Sequence, residues 1–314
     1  MNPNTTKIVI TDAHWGDCDI ERAALDSSQY EVVFLQSRDP DAIIEAGHDA
    51  DGLLVQRALV TRELLEALPQ LRAVVRYGIG LDTIDLEAAK ERGVHVSGVP
   101  DYCIDEMVEH TAMFIATAAR HLWHYVDEAA GGPWGFQGGP KPQVSAEDPV
   151  GVVGAGRIGR AVVARFLKIG HPVVVFDPYV SEQSLPQGCA LATSLADLAE
   201  RVNHLSLHVP LVEQTRNLVD EPLMRILGPE GHLVNTARGG LIDEGALLRI
   251  LDEGALGHAS LDVLAEEPPG PTQRRLVAHK RTTITPHVGY LSTRSLHTLR
   301  RRAAELLDEL LNKP

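Results

Sequence analysis

Short apolar runs rich in β-branched residues alternate with helix-like periodicity from one end of the chain to the other. In the first third the runs are Lys7–Thr11, Glu31–Leu35, Gly52–Val55, Ala73–Tyr77 and Val94–Ser97. Runs of this length fit strands buried on both faces, and the segments between them fit crossover helices. One such segment, Asp85–Arg92, is followed by Gly93, the residue expected at a helix C′ position. The series reads βαβ, which predicts an α/β chain with a parallel sheet covered by helices on both faces.

Asp101–Val126 reads as one long helix, and the Gly/Pro-rich Gly131–Pro142 as a loop or arm. At Val150 the alternation restarts, with strands at Val150–Gly154, His171–Phe176, His204–His208, His232–Thr236, Gly257–Asp262 and Thr282–Pro286. Ser194 and Asp197 have capping-box spacing at a helix start, and Arg294–Leu311 is a closing amphipathic helix. No short repeat is present. The 314 residues suit two doubly wound domains of about 150 residues each.

Composition narrows this picture. Only 4% of residues are aromatic, so the cores must rest on Val, Ile, Leu and Ala. A net charge of -14 argues against general affinity for nucleic acid or anionic membrane, while leaving room for a small anionic substrate at a local basic cluster. No stretch approaches the ~20 apolar residues of a membrane span, and the polar start is not a signal peptide. Cys18, Cys103 and Cys189 form no CxxC motif, a usage that fits free thiols in a reducing compartment, and the cytoplasm is the expected location.

The chemistry begins at Val150–Gly159, an apolar strand running into Gly154-x-Gly156-x-x-Gly159 and then a helix opened by Arg157 and Ile158. Gly154 permits a tight turn, Gly156 lets backbone approach a pyrophosphate, and Gly159 lets the helix pack on the strand, with its first N–H groups facing the phosphates. Asp177 ends the next strand at the position of a ribose 2′-OH acceptor. A carboxylate there repels the 2′-phosphate of NADP, and Pro178 and Tyr179 supply no arginine, so NAD is the expected cofactor. The ordinary alternative is that Asp177 caps a loop.

Three late motifs place polar groups at strand ends: Asn235–Gly240, Leu261–Pro268 and Thr285–Gly289. Ligands of open α/β sheets bind beyond the carboxyl ends of strands, where Arg238, Glu267 and His287 would converge. A cation holds a substrate carboxylate and polarises its carbonyl, an imidazole gives a proton to the oxygen as hydride arrives at carbon, and a carboxylate stabilises the imidazolium. Singly, each has a plainer reading: a surface ion pair, a solvated loop acid, a strand-end histidine.

In order and wording these motifs resemble the D-isomer-specific 2-hydroxyacid dehydrogenase family, and the resemblance covers nearly the whole chain. Val74–Asp85 is similar to the family's substrate-binding turn, Val99–His110 to its interdomain crossover, and Leu207–Leu211, with His208 and Pro210, to a landmark beside the nucleotide. Arg238, Glu267 and His287 fall in register with its catalytic residues. The resemblance implies that Thr236 lies among the cofactor contacts, that Asp262 meets the nicotinamide carboxamide, and that the Tyr77, Gly78 and Ile79 backbone holds the substrate carboxylate. It also implies a flavodoxin-like substrate domain of residues 1–100 plus 287–314, a Rossmann NAD domain of 101–286, a cleft between them, and a homodimer. Two departures stand out. Ser145–Pro149 replaces the usual lead-in to the nucleotide strand, which should change a loop and not the chemistry. The chain ends after its last helix, so the serine-responsive extension of many phosphoglycerate dehydrogenases is not expected.

For the substrate, Arg76 is expected to bind its carboxylate or a second anionic group, with an interdomain salt bridge as the alternative. Tyr290 lines the distal pocket or packs on the crossover helix. His121 and His124 have a metal-ligand spacing without a third ligand, no metal is required, and Cys103 reads as a packed thiol. Two functions share these features: an NAD-dependent 2-oxo acid reductase acting on D-2-hydroxy acids, and an NAD(H)-sensing binding protein like the corepressors of the same family.

Overall fold

The computed structural model describes residues 5–132, 134–135 and 139–313; part of the Gly131–Pro142 arm therefore lies outside the described residues. The chain forms two compact units, one of residues up to Tyr102 together with Ser292 onwards, the other of Cys103–Leu291.

In the first unit the predicted strands appear as β1 (Thr6–Ile10), β2 (Tyr30–Phe34), β3 (Gly52–Val55), β4 (Ala73–Arg76) and β5 (His95–Gly98). All pairs are parallel, in the order β2-β1-β3-β4-β5, which is the flavodoxin-like order. The connecting helices are α1 (Asp19–Ala24), α2 (Pro40–Gly47), α3 (Arg62–Ala67) and α4 (Leu86–Glu91). Helix α4 has the expected ends: the Asp85 side chain accepts from the Ala88 N–H, and Gly93 follows with φ +71°.

The second unit starts with α5 (Ile104–Ala119) and α6 (Leu122–Gly131). The single helix expected over 101–126 is thus two, separated by Arg120 and by His121 in a left-handed conformation (φ 48°). A three-residue helical turn at Ser145–Glu147 then leads to β6 (Val150–Val153), α7 (Arg157–Lys168), β7 (Val173–Phe176), β8 (Cys189–Leu191), α8 (Leu195–Glu200) and β9 (His204–Leu207). After it come α9 (Glu221–Leu227), β10 (His232–Asn235), α10 (Glu244–Glu253), β11 (His258–Leu261), α11 (Pro271–Val277) and β12 (Thr282–Ile284). Short β8 was not foreseen. The all-parallel sheet runs β12-β11-β10-β9-β6-β7-β8, a Rossmann order whose switch point lies between β6 and β9. At α8 the Ser194 side chain caps the Asp197 N–H, but the Asp197 carboxylate accepts from Thr193 rather than Ser194, so the box is only half closed.

The chain closes with α12 (Thr293–Leu311), which returns to the first unit with Ser292 and Ser295 forming its capping box. Leu299, Ala303, Ala304 and Leu307 are buried there, and Arg300 forms a buried ion pair with Glu21 of α1 at 2.7 Å.

The amino-terminal edge of the larger sheet carries an unexpected feature. His204, His232 and His258 open β9, β10 and β11 in register. Asp148 Oδ2 lies 2.9 Å from His204 Nε2, the Nδ1 atoms of His204 and His232 are 3.0 Å apart, and His232 Nε2 is 2.8 Å from Ser260 Oγ. A carboxylate only accepts, so His204 Nε2–H donates to Asp148; with neutral rings, His232 then donates to His204 and Ser260 to His232. His258 lies 2.9 Å from Thr283 Oγ1 and stacks on Trp123 of α6, ring centroids 3.7 Å apart. The Ser145–Pro149 departure therefore does more than reshape a loop: it supplies the buried acid that anchors this chain.

Candidate active site

The nucleotide turn sits at the switch point. Gly154 has φ +95°, and a Cβ on it would approach His208 O to 2.7 Å. A Cβ on Gly159 would come within 1.9 Å of Gly154 O, so glycine is required for α7 to start this close to β6. Around Gly156 there is open space, and no side chain caps the first N–H groups of α7. Such an end, with no acidic residue in its first turn, suits an anion. Arg157 is exposed there, Ile158 is half-buried, and Pro210 is exposed on the neighbouring loop. Asp177 Oδ2 accepts from the Ala155 N–H at 2.8 Å and Oδ1 from the Tyr179 N–H at 2.9 Å. It thus caps the glycine turn, and each oxygen keeps a lone pair for a ribose hydroxyl. These residues fit a dinucleotide. His208 Nε2 lies 2.9 Å from Ser206 Oγ, and burial pushes its pKa down to about 4. Thr236 is buried, its hydroxyl 3.3 Å from that of Thr111 on α5.

The three chemical side chains come from successive loops beyond β10, β11 and β12. Buried Asn235 shapes the first loop: its Oδ1 accepts from the Ala237 N–H and its Nδ2 donates to Arg238 O. Arg238 Nη1 donates to Ala237 O. A Cβ on Gly239 would lie 2.0 Å from Leu264 C, so the Arg238 loop is pressed onto the loop that carries Glu267. There Glu267 Oε1 accepts from the Leu264 N–H at 3.0 Å, and Oε2 lies 2.8 Å from His287 Nδ1. Buried Glu244 braces this loop through the Ala265 N–H, and burial raises its pKa.

His287 has φ +56°, an uncommon conformation for a residue with a side chain. Its N–H lies 2.8 Å from Asp262 O and 2.9 Å from Thr285 O. The Asp262 carboxylate accepts from Thr285 Oγ1 (2.6 Å), the Val288 N–H (2.9 Å) and the Gly289 N–H (2.8 Å). Asp262 therefore clamps the turn that presents His287, and residues up to Leu291 group with the second unit. The ring of Tyr290 stands nearly perpendicular to that of His287, centroids 6.1 Å apart. Two clamp members carried no assigned role in the sequence: Thr285, and His110 of α5, whose Nε2 lies 3.0 Å from Thr285 Oγ1. Their signal was position alone, at the end of one motif and the start of another.

In the first unit, Arg76 donates from Nε to Gln56 O (3.1 Å) and from Nη1 to Gly80 O (2.9 Å), which braces the turn after β4. Gly78 (φ +153°) sends its N–H to Arg76 O, and a Cβ on it would meet Arg76 Nη1 at 2.5 Å. Tyr77 is buried, its hydroxyl donating to Glu21 at 3.0 Å, while Ile79 is exposed. Cys103 is buried. Among the described residues no three His, Cys, Asp or Glu side chains cluster to hold a metal, and no helix is long and apolar enough to cross a membrane.

Residues 112–289, more than half of the chain, match the sequence profile of the D-isomer-specific 2-hydroxyacid dehydrogenase NAD-binding domain. The chain belongs to this family. Among similar proteins, the D-3-phosphoglycerate dehydrogenase of Mycobacterium tuberculosis is 36% identical over 262 residues, 83% of this chain and 49% of the relative. That of Rattus norvegicus is 32% identical over 287 residues, 91% of this chain and 53% of the relative. The chain thus spans about half the length of the curated relatives it matches. A D-lactate dehydrogenase from Aquifex aeolicus, solved with NAD and lactic acid, superposes with a TM-score of 0.88 at 25% identity, covering 96% of this chain and 94% of that one. A glyoxylate/hydroxypyruvate reductase from Sinorhizobium meliloti, solved with NADP and malonate, gives 0.84 at 26% identity, covering 98% and 94%. The family assigns the second unit as the NAD-binding domain.

Proposed function

We propose that this protein is an NAD-dependent oxidoreductase that interconverts a small 2-oxo acid and its D-2-hydroxy acid. The observation that carries the reading is the 2.8 Å contact between His287 Nδ1 and Glu267 Oε2, on loops beyond the strand ends of an NAD-binding sheet. Glu267 occupies Nδ1, so Nε2 is the ring nitrogen left to meet substrate. NAD(H), when bound, supplies or accepts the hydride at the 2-carbon. His287 Nε2 gives its proton to the 2-oxo oxygen as that oxygen becomes a hydroxyl, and takes it back in the reverse direction. Glu267 holds the ring orientation and stabilises the imidazolium. Arg238 is the cation that orients the acid, and its guanidinium stabilises charge on the oxo oxygen. Gly154, Gly156 and Gly159 make room for the dinucleotide, the α7 N–H groups face its phosphates, and Asp177 favours a free ribose 2′-OH over a 2′-phosphate.

The contacts of Arg76 with Gln56 O and Gly80 O support a role in shaping the Tyr77–Ile79 turn, so a second anionic group on the substrate is not required to explain it. The expected homodimer remains part of this reading: Met113, Leu122 and Val126 leave apolar surface exposed on α5 and α6, and sedimentation measures the mass. The test is NADH oxidation with glyoxylate, hydroxypyruvate, pyruvate, longer oxo acids and phosphorylated oxo acids, with His287→Ala as control. Turnover of at least one, lost in the control, is expected; no turnover with any, or full turnover by the control, overturns the reading.

A further inference from the structure

His110 is half-buried and packs on one side against Phe114, whose ring meets it edge to face with centroids 4.6 Å apart. On the other side it faces the clamp of the His287 turn. Thr285 Oγ1 lies 2.6 Å from Asp262 Oδ1 and 3.0 Å from His110 Nε2. A hydroxyl has one proton, and a carboxylate can only accept. The Thr285 proton therefore goes to Asp262, and Thr285 accepts from His110, whose Nε2 must carry a hydrogen. That Nε2 is also 3.5 Å from Asp262 Oδ1. The same carboxylate holds the N–H groups of Val288 and Gly289, while the Asp262 carbonyl holds that of His287. A non-glycine residue at φ +56° persists only where its surroundings over-determine it.

We propose that His110 is a positioning residue for His287: its Nε2–H orders Thr285 and Asp262, which together hold the His287 turn in its left-handed conformation. The role needs a donor at Nε2, not a charge or a bulky ring. Glutamine places an amide N–H close to the same point, whereas phenylalanine fills the space without one. The proposal deepens the dehydrogenase reading, so its test includes a measurement that needs neither cofactor nor turnover.

Amide hydrogen exchange at Val288 and Gly289 is measured in the cofactor-free protein. Exchange about tenfold faster in His110→Phe, with near-wild-type rates in His110→Gln, is expected from loss of one buried hydrogen bond. In the oxo acid assay, His110→Phe lowers kcat about tenfold with KM for NADH and oxo acid within about twofold, and His110→Gln restores kcat. A merely structural role predicts general acceleration of exchange, a raised KM and no rescue by glutamine. Wild-type exchange at both amides in His110→Phe, or identical behaviour of the two variants, overturns the proposal. Absence of turnover in the wild type overturns the dehydrogenase reading instead, and leaves the exchange result to decide the role of His110.

Discussion

Acidification from pH 7.5 to pH 5 should destabilise the NAD-binding unit through its buried histidines. His232 and His258 are each 3% exposed. Burial first, and then neighbouring histidines, hold His232 well below the usual value of 6.5 and push His258 down to about 3. A second constraint is geometric: the facing Nδ1 atoms of His204 and His232, 3.0 Å apart, can share only one proton. Well above pH 6.5, His232 and His258 are neutral both folded and unfolded, so neither imposes a penalty. As pH falls below that value the unfolded chain takes up protons that the folded one refuses, and stability is lost until the folded pKa is reached. For His258 the loss is about 1.4 kcal/mol per pH unit, hence about 2 kcal/mol at pH 5, and His232 adds a loss of the same sign. That is a large share of a typical domain's stability. Asp148 does not confuse the window, because its pKa is lowered from 3.8 and its loss comes at more acid pH. The assay is urea unfolding followed by tryptophan emission, to which Trp123 and Trp134 contribute from this unit. His258→Phe, which retains an aromatic partner for Trp123, should recover about 2 kcal/mol of the pH-dependent loss. Equal loss in wild type and His258→Phe, or no loss between pH 7.5 and 5, refutes the argument.

Replacing His287 by Ala should lower kcat/KM for any accepted oxo acid by about two to four orders of magnitude, read from NADH absorbance. Glu267→Gln keeps the shape but not the charge beside Nδ1, and is expected to lose about tenfold or more in kcat with KM for NADH little changed. Asp177→Ser should raise kcat/KM with NADPH relative to NADH by about tenfold or more, since it removes a negative charge from the 2′ position; an unchanged ratio would remove Asp177 from cofactor selection. Gly159→Ala places a methyl 1.9 Å from Gly154 O, and should abolish NADH binding in a fluorescence titration or lower the melting temperature.

Much of this protein was legible without coordinates, because its strands are continuous apolar runs and its glycines and strand-end polar residues stand at spacings that backbone geometry dictates. The five strands of the first unit, the turn at Gly154–Gly159 and the acid at Asp177 follow from such local rules, whereas the meeting of Glu267 with His287 was expected from strand-end placement and the family resemblance. What the chain order could not express was contact between distant residues. The clamp of Asp262 on the His287 turn, with its members His110 and Thr285, and the ladder from Asp148 to Ser260 each depend on side chains that only parallel pairing and helix packing bring together. Histidine at the start of three separate strands is unremarkable when read along the chain. Register across the sheet turns those three positions into neighbours, and burial then decides which of them can hold a proton.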